Sequence, residues 1–166
     1  KKKKAWAQSN MAQMYRDGEG VKQSYEMAKM LYELAAQQGD VSAMYNLGVM
    51  HENGLGVEKS YERAFEYYEQ AANLDGASAQ YNLGNMYKDG LGVEQAYERA
   101  FEYYEQAAHL GHADAQYNLG FMYFTGQGVT KDESKAKAWW TASAAQGDEQ
   151  AAENLQILEK EMKNNT

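Results

Sequence analysis

The chain of 166 residues contains no cysteine and no proline. Without cysteine there is no disulfide framework, no thiolate metal site and no cysteine nucleophile, although the compartment stays open. Average usage of about 5% would put roughly eight prolines in a chain of this length. Loops and linkers hold most of a protein's proline, so the chain is not expected to be loop-rich, collagen-like or built on rigid linkers. No apolar run approaches the ~18 residues of a membrane-spanning helix, and no signal peptide is recognisable. The chain opens on lysine, as a processed or truncated product would. Basic residues are few: 16 against 24 acidic, and Lys1, Lys2, Lys3 and Lys4 supply four of them, so the remainder carries 12 − 24 = −12. That balance repels phosphate backbones and anionic membrane surfaces and argues against nucleic acid as the main partner. The lysine run, residues 1–4, reads either as a basic tail or as an artefact and carries no weight in the fold.

What the chain does have is 15 glycines, 44% hydrophobic residues and 13% aromatics, enough for a packed core in a domain of ordinary size. The glycines are ordered. Tyr45-Asn46-Leu47-Gly48 returns as Tyr81-Asn82-Leu83-Gly84 and as Tyr117-Asn118-Leu119-Gly120, each step being 36 residues. The same step carries Gly18/Gly20 to Gly54/Gly56, Gly90/Gly92 and Gly126/Gly128, each pair followed by valine. It also carries Ala28 to Ala64, Ala100 and Ala136, and Tyr32 to Tyr68, Tyr104 and Trp140. A fixed period of this size is the mark of a repeat architecture. The units are 5–40, 41–76, 77–112 and 113–148, with a half unit at 149–166 that reads as a capping helix.

Each unit is helical twice over. Ala79, Leu83, Met86 and Tyr87 fall at i, i+4, i+7 and i+8, and Tyr97, Ala100, Tyr104 and Ala107 at i, i+3, i+7 and i+10, so two helices of about twelve residues each present one apolar face. The Gly-x-Gly-Val stretch supplies residues that take positive φ without strain and turns the chain between them. Between units Gly39, Gly111 and Gly147 do the same. In the second unit the glycine comes one place late, with Asp75 where the others have glycine, so that turn is expected to differ in detail. Gly48, Gly84 and Gly120 sit inside the first helix, where glycine costs about 1 kcal/mol relative to alanine. Their recurrence predicts a neighbouring helix too close for a side chain.

These motifs, Ala-x-Tyr-Asn-Leu-Gly-x-Met-Tyr-x-x-Gly-x-Gly-Val followed by alanine, an aromatic and a closing Ala-Ala, resemble the Sel1-like repeat family over residues 5 to about 158. Tetratricopeptide repeats share Leu-Gly-x-x-Tyr but have a period of 34 and lack the double-glycine loop. The resemblance implies an all-α fold, a right-handed superhelical α-solenoid of stacked antiparallel helix pairs. It also implies a monomeric, non-enzymatic scaffold or adaptor, bacterial, that binds a protein or peptide, with a lean towards the periplasm or secretion. Properties of cysteine-rich members do not carry over to a chain without cysteine.

In such a stack the second, fifth, sixth, ninth and twelfth places of each first helix form one stripe that can line a concave groove. The fifth place gives Ser9, Tyr45, Tyr81, Tyr117 and Glu153, and the sixth gives Asn10, Asn46, Asn82, Asn118 and Asn154. The ninth gives Gln13, Val49, Asn85, Phe121 and Ile157, and the twelfth Arg16, Glu52, Lys88 and Phe124. Asparagine competes with the backbone for hydrogen bonds and is a poor interior helix residue, so five at one place need a reason. Either they form an amide ladder for an extended peptide, with the tyrosines beside them, or they bond to neighbouring helices while the tyrosines cover the seams. The variable ninth and twelfth places are where specificity is expected, and Phe121 and Phe124 are either exposed anchors or packing under the last helix. The candidate binding residues are therefore Tyr45, Asn46, Val49, Tyr81, Asn82, Asn85, Lys88, Tyr117, Asn118, Phe121 and Phe124.

Catalysis and cofactors are not expected. His109 and His112 lack a third ligand for a metal, the glycine loops lack the strand and third glycine of a phosphate-binding turn, and there is no Gly-x-Ser-x-Gly elbow or P-loop. The glutamates of the second helices, Glu62, Glu66, Glu69, Glu98, Glu102 and Glu105, read as a solvated convex face. They also allow an alternative, a regulatory or inhibitory subunit that engages an enzyme or receptor through that acidic surface.

Overall fold

The computed structural model describes the backbone of residues 2–164 and the side chains of residues 3–160. Among the described residues the regular structure is entirely helical: α1 Lys2–Asp17, α2 Tyr25–Ala36, α3 Val41–Asn53, α4 Tyr61–Ala72, α5 Ala77–Asp89, α6 Tyr97–His109, α7 Ala113–Thr125, α8 Glu133–Ala144 and α9 Glu149–Asn164. Lys2–Lys4 open α1, and Lys3 and Lys4 are exposed on it, while Lys1 lies outside the described residues. None of the described helices is long and apolar enough to cross a membrane.

The chain divides into two compact units. The first holds Lys1–Ala79 with Leu91–Val93, and the second holds Gln80–Gly90 with Glu94–Thr166. The core of the first is built from Ala12, Ala28, Tyr32, Ala35, Ala43, Leu47 and Met50. That of the second joins Ala100, Tyr104, Ala107, Leu119, Met122, Ala136, Trp140, Ala151 and Leu158. In both, alanines at the helix crossings let backbones approach while one large aromatic per hairpin fills the space between. In α9, Ala151 and Leu158 are buried and Leu155 is half-buried, whereas Met162 and Lys163 lie outside the residues whose side chains are described.

Each within-repeat loop closes the same way. The residue before the second helix donates its N–H to a carbonyl near the end of the first: Ser24 to Tyr15 at 2.8 Å, Ser60 to His51 at 2.9 Å, Ala96 to Tyr87 at 2.9 Å and Asp132 to Tyr123 at 2.8 Å. The same residue then caps the second helix where its side chain allows. Ser24, Ser60 and Asp132 accept from the backbone N–H three residues on, and Ala96, with the same extended backbone, makes no cap. The two loop glycines have separate work. Gly54 and Gly126, at φ 70° and 75°, end α3 and α7 in the left-handed region. Gly92 and Gly128 lie against the start of the preceding repeat's second helix: a Cβ on Gly92 would stand 2.7 Å from the Tyr61 carbonyl carbon, and one on Gly128 2.5 Å from the Tyr97 carbonyl oxygen.

The turn at Asp75 keeps the form of the others and differs in detail. Asp75 takes the left-handed conformation itself, φ 58°, where Gly39, Gly111 and Gly147 have 83°, 88° and 96°. The closing bond is also kept, from Gly76 N–H to Ala71 O at 3.0 Å, matching Asp40 to Ala35 at 3.1 Å. Aspartate tolerates this region better than most residues, at a cost glycine does not bear. Gly76 in turn stands at the capping place that Asp40 and His112 hold elsewhere.

Gly48, Gly84 and Gly120 face an aromatic ring of the partner helix rather than its backbone. A Cβ at Gly84 would lie 2.6 Å from Cδ1 and Cε1 of Tyr104, and one at Gly120 2.6 Å from Cδ1 of Trp140. Tyr104 is fully buried and has nowhere to retreat. Gly84→Ala gains helix propensity of about 1 kcal/mol but overpacks the crossing by roughly 1–3 kcal/mol, so thermal and urea unfolding should show a net loss; equal or higher stability would refute the ring-over-glycine packing. Asp75→Gly should raise stability by up to about 1 kcal/mol, and a lower melting temperature would show the aspartate to be unstrained.

Candidate functional site

The aromatic that crosses the glycine carries its polar end through to the face of the first helix. In the first unit the Tyr68 hydroxyl donates to Glu52 Oε2 at 2.5 Å, and the ring lies tilted against Tyr45 with centroids 5.7 Å apart. In the second unit Tyr104 donates to Asn85 Oδ1 at 2.6 Å and is also bonded to the Asn118 side chain. Burial, with Tyr81 and Asp89 nearby, pushes the Tyr104 phenol well above its usual range, so it remains a neutral donor. In the fourth repeat Trp140 Nε1 donates to the Tyr117 carbonyl at 3.1 Å. The first repeat has Ala12 in place of the glycine, and there the Tyr32 hydroxyl is buried with no hydrogen-bond partner among the described residues.

The asparagines are drawn into the same network. Asn46 accepts from Arg16 Nη1 at 2.5 Å and donates to the Ser42 carbonyl at 2.8 Å. Arg16 is held on its other side by Asp17, through Nε at 2.7 Å and Nη2 at 2.8 Å. That pair raises the guanidinium pKa and lowers that of the carboxyl. Asn154 donates to the Tyr117 hydroxyl at 3.4 Å. At Asn46 and Asn118 the amides thus hold neighbouring elements together, which is the second of the two readings of the ladder. Asn82 is half-buried, as is Val49. Ser9, at the fifth place of the first repeat, is buried.

Tyr81 stacks on His112 with centroids 4.6 Å apart, and His112 Nδ1 accepts from the Ala115 N–H as the cap of α7. His109 meets the edge of Trp139, and His51 stacks on Tyr67 with its Nδ1 buried and unbonded among the described residues.

Two recesses bring together six of the candidate residues, while Val49, Tyr81, Asn82, Asn85 and Phe124 line neither. One, of about 330 Å³ in the first unit, is bordered by Gln13, Ser42, Tyr45, Asn46, Gly76 and Ser78. The other, about 210 Å³ in the second unit, is lined by Lys88, Tyr104, Tyr117, Asn118, Phe121, Met122 and Gln127. Phe121 is 43% exposed at its rim and borders a further small recess with Phe124, Trp140, Asn154 and Ile157. The two phenylalanines therefore divide: Phe124 is half-buried against Trp140 at 5.4 Å, beneath Lys131, while Phe121 stands at the surface. Tyr104 and Gln127 were not expected here. The recurring glycine was the available signal for Tyr104, since a gap in one helix admits the ring of another; Gln127, between the loop glycines, had none.

The Sel1 repeat family model matches residues 7–40, 41–76, 77–112 and 113–148. Among solved structures the chain is similar to a protective antigen of uropathogenic Escherichia coli strains that displays an SLR fold, at 34% identity and TM-score 0.90, covering 95% of this chain and 34% of that one. It is also similar to a Sel1 repeat protein from Oxalobacter formigenes, at 30% identity and TM-score 0.85, covering 91% and 62%. Helicobacter pylori cysteine rich protein B aligns at 25% identity and TM-score 0.61, covering 76% and 96%. The chain thus spans about a third of the first relative's length and under two thirds of the second's. No curated protein matches it. The fold is an all-α helical repeat solenoid.

Burial lowers the pKa of His112, with Asp114 opposing. His51 is lowered as well, by burial first, then by Lys29 and Arg63, against its bond to the Glu58 backbone and the charge of Glu33. A histidine depressed in the folded state stabilises fully above its unfolded pKa, about 6.5, and loses that contribution as the pH falls. Stability should therefore decline from pH 7 towards pH 5. The double variant His112→Asn/His51→Tyr should flatten that slope in chemical denaturation; an unchanged slope would assign it to other groups.

Proposed function

The chain belongs to the Sel1 repeat family, whose repeats generally serve as non-enzymatic protein–protein interaction scaffolds, and on that footing we propose that it binds a protein or peptide segment along its first helices. The binding residues are those of the candidate face: Tyr45, Asn46 and Val49 in the first unit, and Tyr81, Asn82, Asn85, Lys88, Tyr117, Asn118, Phe121 and Phe124 in the second. Their roles differ. Asn46 is engaged with Arg16, and Asn85 and Asn118 with Tyr104, so these amides form a preorganised surface. Phe121 is the anchor, and Lys88, Asn118 and Gln127 are the polar rim.

The observation that carries this reading is the recess under Phe121. Its volume of about 210 Å³ suits one large apolar side chain. An exposed aromatic beside a pocket with a polar rim is the usual make-up of a binding hot spot. At the same place the other repeats have Gln13, Val49 and Asn85, so the feature belongs to this repeat alone. A protein or peptide that inserts an apolar residue there gains contact without breaking the Tyr104–Asn85 bond.

The alternative, docking through the acidic faces of α4 and α6, rests on exposed Glu62, Glu66, Glu98 and Glu102. Two of these are already partly offset, Glu66 by Arg63 at 3.0 Å and Glu102 by Arg99 at 2.7 Å, which weakens its pull on a basic partner. A pull-down with mass spectrometry separates the two. Proteins retained by the wild type should be lost on Phe121→Glu and kept by Glu66→Lys/Glu102→Lys; the opposite pattern would transfer recognition to the acidic face.

A further inference from the structure

Phe121 on α7 borders two recesses. The larger, about 210 Å³, is shared with α5 and α6. The smaller, about 90 Å³, is shared with α8 and α9 and lies among Phe124, Trp140, Asn154, Ile157 and Leu158. The two occupy corresponding places one repeat apart: a step of 36 residues carries Lys88, Tyr104, Asn118, Phe121 and Met122 onto those five. Phe121 is 43% exposed although α8 packs against α7, so its exposure is not owed to a missing neighbour. Ile157, at the same place in α9, is 54% exposed. In the first unit the corresponding residues are Arg16, Tyr32, Asn46 and Val49, and there the Arg16 guanidinium reaches across to Asn46 at 2.5 Å.

The charge around them is one-sided. Among the described residues Lys88 is the only charged side chain that lines either recess. Its neighbour Asp89 stands 3.7 Å away, with both side chains well exposed, a contact that water and salt weaken. The smaller recess is lined by apolar side chains and the Asn154 amide. Lys131 stands over the Phe124 ring at 5.3 Å and is paired with Glu133 at 3.0 Å. A chain of net charge −8 thus presents a cation and no carboxylate in the lining of this apolar site.

We propose, resting on the reading of Phe121 as the anchor, that the ligand is an extended acidic segment of a partner protein that clasps the Phe121 ring between two apolar side chains. The large one fills the recess of about 210 Å³ and the small one that of about 90 Å³. A carboxylate next to the large residue meets Lys88, which adds orientation and salt dependence. Side chains touching the two faces of one ring, each at about 3.5–4.0 Å, are roughly 7–8 Å apart. That is close to the ~6.6 Å between residues i and i+2 on one face of an extended chain. Asn118 and Asn154, one in each recess, offer amides to the backbone groups that an extended segment leaves unpaired.

The test uses the whole chain and short fluorescent peptides carrying Asp-Phe-Ser-Val, or the reverse order Val-Ser-Phe-Asp, between Gly-Ser flanks, followed by anisotropy. One of the two should bind saturably, weakened on the order of tenfold when serine replaces its phenylalanine and severalfold when serine replaces its valine. Ile157→Glu should abolish the difference between the valine and serine peptides and keep the phenylalanine effect. Lys88→Glu should reverse the preference for aspartate over lysine beside the phenylalanine. Neither residue belongs to the buried core, and the peptide substitutions on the wild type decide the matter if a variant loses its helical circular dichroism. Indifference to the valine, or to the sign of charge beside the phenylalanine, would overturn the clasp; if Phe121→Glu still abolished binding, the anchor reading would stand without it. Absence of saturable binding would overturn the clasp as well, and the pull-down with Phe121→Glu then judges the anchor separately. Tighter binding of a stapled helix with phenylalanine and valine at i and i+4 would replace the extended occupant, and self-association abolished by Phe121→Glu would replace it with a second copy.

Discussion

One contact sets the geometry of every later repeat: the flat ring of a second-helix aromatic lying where a first-helix residue has no Cβ. Tyr68 over Gly48, Tyr104 over Gly84 and Trp140 over Gly120 each bring two helices closer than any side chain would permit. The gain is burial of a whole aromatic, which outweighs the propensity lost at one helical glycine. Alanines at 28, 64, 100 and 136, all fully buried, are the counterpart on the second helix, since a larger residue there would hold the ring away. The first repeat serves as an internal control. With Ala12 in the gap, Tyr32 is still buried, but its hydroxyl finds no hydrogen-bond partner among the described residues.

This contact also determines what kind of surface the first helices present. A tyrosine forced through the crossing delivers its hydroxyl to the far side, where Glu52, Asn85 and Asn118 take it up. Such groups are costly to strip, since a buried donor left without its partner forfeits about 1–3 kcal/mol. A ligand therefore finds most of the polar groups on this face already paired, and gains most where apolar area is still open to water. In the second unit that is Phe121. The asparagines shape the face, and on the proposed reading the variable residues beside them are where one ligand is told from another.

The period, the two helices of each repeat and the loop glycines were legible because they are properties of backbone conformation, and glycine and helical spacing report that directly. Residue partnerships were harder to read. Asn46 reaches Arg16 thirty residues away, and nothing local in either side chain announces the pairing. At Asp75 the missing glycine signalled a change of detail only: the Schellman-type bond from Gly76 to Ala71 keeps the conformation and aspartate accepts it. Phe121 and Phe124, three residues apart, were alike in sequence. Only the position of Trp140 in α8 draws one under cover and leaves the other in water.

In a repeat chain each element is stabilised mainly by its neighbours, so the solvent exposure of one sequence place measures whether its neighbour is there. The place of Met14 gives a graded series. It is closed at Met50, Met86 and Met122, and closed again at Leu158 in α9, where α8 lies alongside and a salt bridge from Lys137 to Glu159 at 2.9 Å pins the pair. α9 turns Glu153, Gln156 and Lys160 to water. α1 has the same register and the opposite character: its stripe is methionine rather than glutamate, and its charge is basic where the second helices are acidic.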